Sequence, residues 1–337
     1  MRNFDRHQEN RHRHNPRRQP HAYGRSRPQG PRPPSSHRQP VDEAESRFFA
    51  STAVDPSPRI RLENGSSELT MRAMDLICPI GMGQRGLIVS PPGSGKTTFL
   101  KHICQAVAKG YPEVKLYCLL IDERPEEVTD FRRSVQAEVR WSSSDETYDH
   151  HIQTARDLMQ HVYREAGAGA NVFLVIDSLT RLARVHNAEI RSSGRTLSGG
   201  VDARSLEVPR RIFGSARKIE NGGSLTILAT ILIDTGSRMD QVIFEEFKGT
   251  GNMEIVLSRE IANRRIFPAV DISKSGTRKE ELLLEPGELE QVRKIRRVLA
   301  TFDTVKAATA LIEQLQKFSS NQELLAYIRK HSESTNS

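Results

Sequence analysis

The apolar positions of this chain form short unbroken runs that alternate with longer amphipathic segments. Runs without polar interruption predict strands buried on both faces, whereas apolar residues spaced three and four apart predict helices packed on a sheet. Strands that alternate with helices are typical of an α/β fold with an open, mostly parallel sheet. The runs that predict strands are residues 87–89, 114–121, 171–176, 224–233 and 252–257, with an edge strand at 59–62.

Helical spacing fills most of the remaining chain. The last three predicted helices contain no candidate catalytic residues, so we assign them to packing of the domain and to a face between subunits. The predicted helices are residues 69–77, 99–108, 126–139, 149–165, 179–188, 205–221, 288–299, 305–316 and 321–328.

Residues 1–46 have a different composition, rich in Arg, His, Pro and Gln and almost without aliphatic side chains. Such a segment buries too little apolar surface to offset the entropy of ordering, so we expect a disordered tail before a domain at 47–333. Residues 1–40 hold ten arginines against Asp5 and Glu9, a surplus of eight that equals the net charge of the whole chain, +8. The tail is either an arm that contacts single-stranded RNA or a solvated segment that confers solubility.

Other features of the composition narrow the class of protein. No apolar run is long enough to span a membrane, and the N-terminus has no apolar signal region, so we expect a cytoplasmic protein without membrane contact. The three cysteines, Cys78, Cys104 and Cys118, are widely spaced among apolar neighbours. This pattern favours buried thiols over a disulfide framework or a zinc site.

The most informative stretch follows the first buried run, at residues 90–98 (SPPGSGKTT). A strand, a glycine turn and the start of a helix are the context of a phosphate-binding loop, although Ser90 stands where the usual motif begins with glycine. The alternative is a tight strand–helix turn that happens to hold a lysine. We predict that the loop binds ATP, with Lys96 on the phosphates and Thr97 on Mg²⁺. The predicted nucleotide-binding residues of the loop are Pro92, Gly93, Ser94, Gly95, Lys96, Thr97 and Thr98.

Two further buried runs end in acids. Residues 171–176 are followed by Asp177, the shape of a Walker B strand, whose acid approaches Mg²⁺ directly or through water. Residues 114–121 are followed by Asp122 and Glu123, at the end of a strand where α/β sheets place their chemistry.

Six strings, in order around these motifs, resemble the bacterial transcription termination factor Rho family from about residue 48 to about residue 329. They are LIDERPEEVT at 120–129, SGGVDA at 198–203, FGSAR at 213–217, IDTGS at 233–237, EEFKGTGNME at 245–254 and SGTRKEELL at 275–283.

The resemblance implies a RecA-like P-loop NTPase core in a homo-hexameric ring. The implied activity is RNA-dependent ATP hydrolysis that drives an RNA translocase or helicase in transcription termination. It implies that Glu123 orients the attacking water, that Asp177 is the Walker B acid, and that Arg278 is an arginine finger acting on a neighbouring subunit. Without the resemblance, Arg278 could equally form a surface salt bridge with Glu280 or Glu281.

Four further roles come only from the resemblance. Arg265 resembles a second arginine on the γ-phosphate, and Phe267 resembles the ring that stacks on adenine. Residues 194–202 resemble a first RNA-contacting loop, and residues 234–240 a second, with Arg238 where the family usually carries lysine. The predicted RNA-binding residues are Arg195, Thr196, Leu197, Ser198, Gly199 and Arg238.

The chain departs from the family at its start, where Rho proteins carry an OB-fold that 46 residues cannot form. We expect the arginine-rich tail to replace that primary RNA site. Two alternatives remain: a Rho-like motor that remodels RNA without RNA polymerase, and a paralogue that binds or hydrolyses ATP and modulates a full-length Rho.

Overall fold

The computed structural model describes residues 43–189 and 198–334. Within this part of the chain, nine strands form one sheet, and β2 and β3 pair separately. The strands are β1 Ala53–Val54, β2 Arg59–Ile60, β3 Ile80–Gly81, β4 Arg85–Ser90, β5 Lys115–Glu123, β6 Glu138–Ser143, β7 Asn171–Asp177, β8 Arg217–Ile219, β9 Ser224–Leu232, β10 Met253–Val256 and β11 Gly276–Thr277.

The order across the sheet is β11-β10-β4-β9-β7-β5-β6. From β10 to β6 every neighbouring pair is parallel, whereas β11 and β8 join antiparallel. The central strands are buried along nearly their whole length, as their continuous apolar runs predict. The mostly parallel sheet inferred from the sequence is therefore confirmed.

Helices cover both faces of the sheet and separate the core into two large apolar clusters. One cluster contains the inward residues of α2, α3 and the C-terminal helices, and the other those of α1, α5, α6 and α7. The helices are α1 Glu43–Ala50, α2 Leu69–Ile77, α3 Lys96–Gly110, α4 Pro125–Ser134, α5 Tyr148–Gly167, α6 Leu179–Glu189, α7 Glu207–Gly214, α8 Arg238–Phe247, α9 Arg259–Asn263, α10 Pro286–Leu299, α11 Thr304–Lys317 and α12 Asn321–Ser334. None of them is both long and apolar enough to cross a membrane.

Two helices predicted from the sequence are too long. Residues 126–139 were expected to be one helix, but α4 ends at Ser134 and the alternating residues that follow form the edge strand β6. The helix expected over 205–221 is limited to α7, because residues 217–219 pair with β9 as strand β8. The edge strand expected at 59–62 covers only Arg59–Ile60, and a 3₁₀ turn follows.

Helical residues lie on both sides of the predicted boundary between tail and domain, 46/47. Helix α1 already begins at Glu43, and its first turn carries Glu43 in an ion pair with Arg47. Phe48 is fully buried and stacks on Tyr163 of α5 with the ring centroids 5.1 Å apart. Burial of this aromatic ring anchors the helix on the domain. The expected disorder of residues 1–42 lies outside the described residues.

Candidate functional site

The loop after β4 has the backbone of an anion-binding turn. Gly93 and Gly95 take φ values of 76° and 90°, which favour glycine, and α3 begins directly at Lys96. The backbone amides at the start of a fifteen-residue helix therefore face the loop. Ser90, the departure from the usual motif, is buried, and its hydroxyl lies 2.8 Å from the Ser94 hydroxyl. Ser94 in turn donates to the Pro91 carbonyl at 2.8 Å, so the two serines brace the turn from inside.

Two predicted catalytic residues and one predicted metal ligand meet at the carboxyl ends of the parallel strands. Lys96 Nζ lies 3.0 Å from Glu123 Oε1 at the end of β5, and 2.5 and 2.6 Å from the two carboxylate oxygens of Asp177 at the end of β7. Both acids are almost fully buried, at 3% and 2% exposure. The lysine of the predicted phosphate loop and the two acids that follow buried strands thus form one buried cluster.

A β-bulge directs Glu123 into this cluster. The pairing of β5 with β6 shifts register between Ile121 and Glu123, and Asp122 takes a φ of 57°, rare for a residue other than glycine. Bulges of this kind re-aim a side chain at the end of a strand and are common beside active sites. The shift in register and the unusual backbone of Asp122 thus accompany the placement of Glu123 beside Lys96.

Two residues that the sequence did not single out complete the cluster. Arg181, in the first turn of α6, places Nη2 3.2 Å from Glu123 Oε2, and Thr230 of β9 donates its hydroxyl to Asp177 Oδ1 at 2.7 Å. Glu123 Oε2 is buried and accepts no hydrogen bond from the described residues, despite the nearby guanidinium. The position of Arg181, four residues after the Walker B acid, is the one sequence signal that could have identified it.

The electrostatics of the cluster favour proton transfer to Glu123. Burial raises the pKa of the Glu123 carboxyl, and the Asp177 charge adds to this, while Lys96 and Arg181 oppose it. Burial acts to lower the pKa of Lys96, but the facing Asp177 and Glu123 outweigh burial and leave it raised. Lys96 is therefore a permanent cation, and Glu123 is a more basic carboxylate than one in water.

These residues fit magnesium ATP. Glu123 Oε2, which faces Arg181 but accepts no hydrogen bond from the described residues, can accept one from water. The glycine turn provides amide donors for phosphates, and the buried lysine provides a cation. Thr97 directly follows Lys96, and its hydroxyl with the Asp177 carboxylate are oxygen ligands of the kind that Mg²⁺ prefers. Among the described residues, no group of three or more His, Cys, Asp or Glu side chains could hold a metal ion.

The predicted adenine-stacking residue lies beside the phosphate loop. A Cβ placed on Gly95 would lie 3.5 Å from the Phe267 ring, which is 48% exposed. Arg265 is exposed two residues earlier with a φ of 60°. Phe267 is therefore placed at the edge of the loop, and the roles of both residues stay predictions.

Arg278 lies at the opposite end of the strands. It follows β11, and its amide donates to the Asn252 carbonyl at 2.8 Å, level with the start of β10. Met253 of β10 pairs with Gly86 of β4, so the run from Gly86 to Ser90, about 13 Å of strand, separates this level from the phosphate loop. Arg278 is exposed and makes no ion pair with any described residue, while Glu280 pairs with Arg293 at 3.5 Å. The alternative of a salt bridge to Glu280 or Glu281 is therefore wrong, and Arg278 is not placed to reach the phosphate loop of its own chain.

The two predicted RNA loops contact each other where the structure describes them. A Cβ on Gly199 would lie 2.8 Å from the Arg238 carbonyl oxygen, and Gly199 has a φ of 74°. Ser198, Gly199 and Arg238 are all exposed. Arg195, Thr196 and Leu197 lie outside the described residues. The described parts of both loops thus form one exposed surface.

Helix α6 connects the acidic cluster to both loops. Arg184, one turn beyond Arg181, forms a two-pronged ion pair with the fully buried Asp240, which also accepts the Thr235 hydroxyl at 2.5 Å. One turn further on, Asn187 donates to the Gly200 carbonyl at 3.2 Å and accepts from the Asp202 amide at 2.7 Å. Three polar side chains on a single rigid helix therefore contact Glu123 and the two predicted RNA loops.

Comparison with known proteins agrees with this geometry. Residues 70–277 match the model of the ATP synthase alpha/beta family, nucleotide-binding domain. The ATPase of the type III secretion system of pathogenic bacteria has a TM-score of 0.67 at 23% identity, over 82% of this chain and 85% of that one. The assembled ATPase EscN from enteropathogenic E. coli has a TM-score of 0.65 at 21% identity, over 84% of this chain and 74% of that one. These structures show that the fold is that of a P-loop ATPase.

Three curated relatives are much more similar in sequence, and each is named transcription termination factor Rho. The Haemophilus influenzae protein is 50% identical over 86% of this chain and 70% of its own length. The Aquifex aeolicus protein is 51% identical over 83% of this chain and 64% of its own length. The Mycobacterium bovis protein is 50% identical over 86% of this chain and 48% of its own length. This chain thus spans between about half and 70% of these relatives. The resemblance inferred from the six strings is confirmed, and the chain belongs to the transcription termination factor Rho family of P-loop ATPases.

Proposed function

We propose that this protein is an RNA-dependent ATPase that translocates along or unwinds RNA as a homo-hexamer and acts in transcription termination in the cytoplasm. The single observation that carries the proposal is the buried cluster of Lys96, Glu123 and Asp177, in which Glu123 keeps one oxygen without a hydrogen bond. That arrangement provides a base beside a phosphate-binding lysine, and membership of the Rho family supports RNA as the second substrate.

Each residue of the cluster has a separate task. An entering phosphate competes with Glu123 and Asp177 for Lys96, because the lysine pairs with both acids. Glu123 then holds the attacking water through Oε2, and its raised pKa favours acceptance of the proton. Arg181 keeps the carboxylate oriented, and Thr230 does the same for Asp177. Mg²⁺, held by Thr97 and Asp177, supplies neutralisation of the phosphate charge when bound.

A hexameric ring is supported by the separation of Arg278 from its own phosphate loop. An arginine finger stabilises the transition state of phosphoryl transfer and is worth roughly 10³–10⁵ in rate. Because Arg278 lies at the amino ends of the strands, a head-to-tail neighbour is the natural recipient. When this contact repeats around a closed ring, the phosphate loop of every subunit receives Arg278 of a neighbouring subunit.

Coupling between ATP and RNA follows from α6. A change in the position of Arg181 at the acid cluster moves Arg184 and Asn187 with it, since all three share one helix. Arg184 holds Asp240 beside Arg238, and Asn187 holds the residues after Gly199. We infer that RNA on these loops and nucleotide at the cluster bias each other through this helix.

The arginine-rich tail is the proposed primary RNA contact. Ten arginines give affinity with little sequence preference and a steep dependence on salt. Deletion of residues 2–42 removes all ten but keeps α1, whose Phe48 is part of the core. We expect this truncation to weaken poly(C) binding and to flatten its salt dependence, and unchanged affinity and slope would contradict this role.

The experiment that tests the main proposal is ATP hydrolysis by the purified protein with and without poly(C). Strong stimulation supports the RNA-dependent motor. ATP binding without turnover, or turnover indifferent to RNA, supports the alternative of a paralogue that modulates another Rho. The presence of Lys96, Glu123, Asp177 and Arg278 speaks against that alternative, because a paralogue that only binds ATP would be expected to lose at least one of them.

A further inference from the structure

A cavity of about 490 Å³ lies on the face of the sheet that α1, α5, α6 and α7 cover. Its apolar lining includes Phe49 of α1, Met159 of α5 and Ile212 of α7. None of the residues of the ATP cluster lines it. The volume is within the range of small-molecule sites, about 300–1,000 Å³, and far above that of a trapped water.

His186 of α6 is the unusual member of the lining. Only 8% of this residue is exposed, and it makes no hydrogen bond or ion pair with any described residue. Burial, reinforced by the nearby Arg156, lowers its pKa to about 4. At neutral pH the ring is therefore uncharged and offers one donor and one acceptor toward the cavity. No described residue occupies these two hydrogen-bonding positions, so both ring nitrogens are available to a ligand in the cavity.

The charged groups of the lining are unevenly balanced. Arg156 of α5 and Arg211 of α7 both border the cavity, against one lining carboxylate, Glu45 of α1. Arg156 contacts only the Gln153 amide oxygen, at 3.5 Å, and Arg211 forms no ion pair in the described part of the chain. Guanidinium groups without a carboxylate partner, beside an apolar hollow, suit an anion with an apolar body.

We propose that this cavity is a binding site for a small organic anion with an aromatic or aliphatic body. Arg156 and Arg211 hold the carboxylate or phosphate, His186 hydrogen-bonds its polar atoms, and the body packs among Phe49, Met159 and Ile212. The site is distinct from the ATP cluster, and its occupation does not depend on ATP turnover.

The test is a titration of the full-length protein with 4-fluorobenzoate, followed by fluorine NMR. The amide 4-fluorobenzamide is the neutral analogue, and 4-fluorophenyl phosphate tests the other head group. Saturating magnesium ADP keeps these anions from the phosphate loop. We expect saturable binding of one or both anions, with the amide about tenfold weaker because it lacks the charge-assisted hydrogen bonds.

Variants locate the site. Arg156→Gln and Arg211→Gln should each weaken the anion about tenfold, and Ala155→Trp, which fills the cavity, should abolish binding. Arg133→Gln, an exposed change on α4, is the matched control and should have no effect. If Ala155→Trp fails to fold, the Arg156→Gln and Arg211→Gln variants still test whether the anion binds in this cavity, because both residues are exposed. Absence of saturable binding, equal affinity for benzoate and benzamide, or indifference to the arginine variants would overturn the proposal.

Discussion

The two ends of the parallel sheet differ in whether a single chain supplies a complete set of interacting charged groups. At the carboxyl ends, Lys96 and Arg181 offset Glu123 and Asp177, so a buried cluster of both signs is already assembled. At the amino ends, Arg85, Arg217 and Arg278 lie close enough to influence one another, and Arg278 also interacts with the carboxylate of Glu254. Burial lowers the pKa of Arg85, and Arg217 and Arg278 lower it further. This end presents Arg278 as an exposed arginine, and we propose that it completes the site of a neighbouring subunit.

The first prediction breaks the completed end. Glu123→Gln keeps the shape of the side chain but removes the base, so we expect turnover to fall by about 10²–10⁴ while ATP still binds. Single-turnover hydrolysis and fluorescent-nucleotide binding measure the two effects separately. Glu126→Gln, an exposed change three residues later, is the control. Loss of binding along with turnover would mean that Glu123 supports the fold of the site and not the chemistry.

A second prediction separates the ATP cluster from the RNA surface. Arg184→Gln removes one partner of Asp240 and frees the second predicted RNA loop, so we expect stimulation of ATPase activity by poly(C) to fall about tenfold, within the usual range of coupling energies. ATP turnover without RNA should change little, because Arg184 contacts neither Glu123 nor Asp177. Arg210→Gln, which breaks the Arg210–Glu246 pair, is the matched control. Equal loss of basal and stimulated rates would contradict the coupling.

The smallest effect concerns stability. The pKa of His186 is lowered to about 4 in the folded state, whereas an unfolded histidine titrates near 6.5. As the pH falls, the unfolded chain therefore binds the proton before the folded protein does. The free energy of unfolding that this histidine provides above about pH 6.5 is lost progressively as the pH falls toward 4. At pH 5 the loss is about 2 kcal/mol.

Urea unfolding of the wild type and His186→Gln at pH 7 and pH 5 measures this loss. The groups that face the imidazole are Arg156 on α5, Arg211 on α7 and Glu45 on α1. We expect the variant to lose less stability on acidification, and an identical pH dependence would show that the imidazole is accessible to protons in the folded state. His331→Gln, an exposed change on α12, controls for unfolded-state effects.

The central strands and the residues of the buried cluster, Lys96, Glu123 and Asp177, could be located from the sequence because their signals are local. β4, β7 and β9 are largely continuous apolar runs; Asp177 ends one of them, and Lys96 follows another after the glycine turn. In contrast, the alternation at residues 137–141 fits the end of an amphipathic helix as well as an edge strand, and only its pairing with β5 decides.

Residues defined by distant contacts could not be predicted. Arg181 lies 58 positions from Glu123, and Thr230 lies 53 from Asp177, so their partnership exists only in the folded sheet. The cavity around His186 combines four helices and has no pattern in any one of them. The position of Arg278 likewise depends on strand register, which places this residue at the end of the sheet away from its own phosphate loop.

The central claim is that each active site combines the acid cluster of one subunit with Arg278 of another. Lys96→Ala and Arg278→Ala should each reduce ATP turnover severely, by roughly 10³ or more for the arginine. When the two variants are co-assembled in equal amounts, about a quarter of the interfaces join an intact cluster to an intact finger. We predict that ATPase activity returns in the mixture and rises with the fraction of such interfaces. Activity in the mixture no greater than that of the separate variants would contradict the claim.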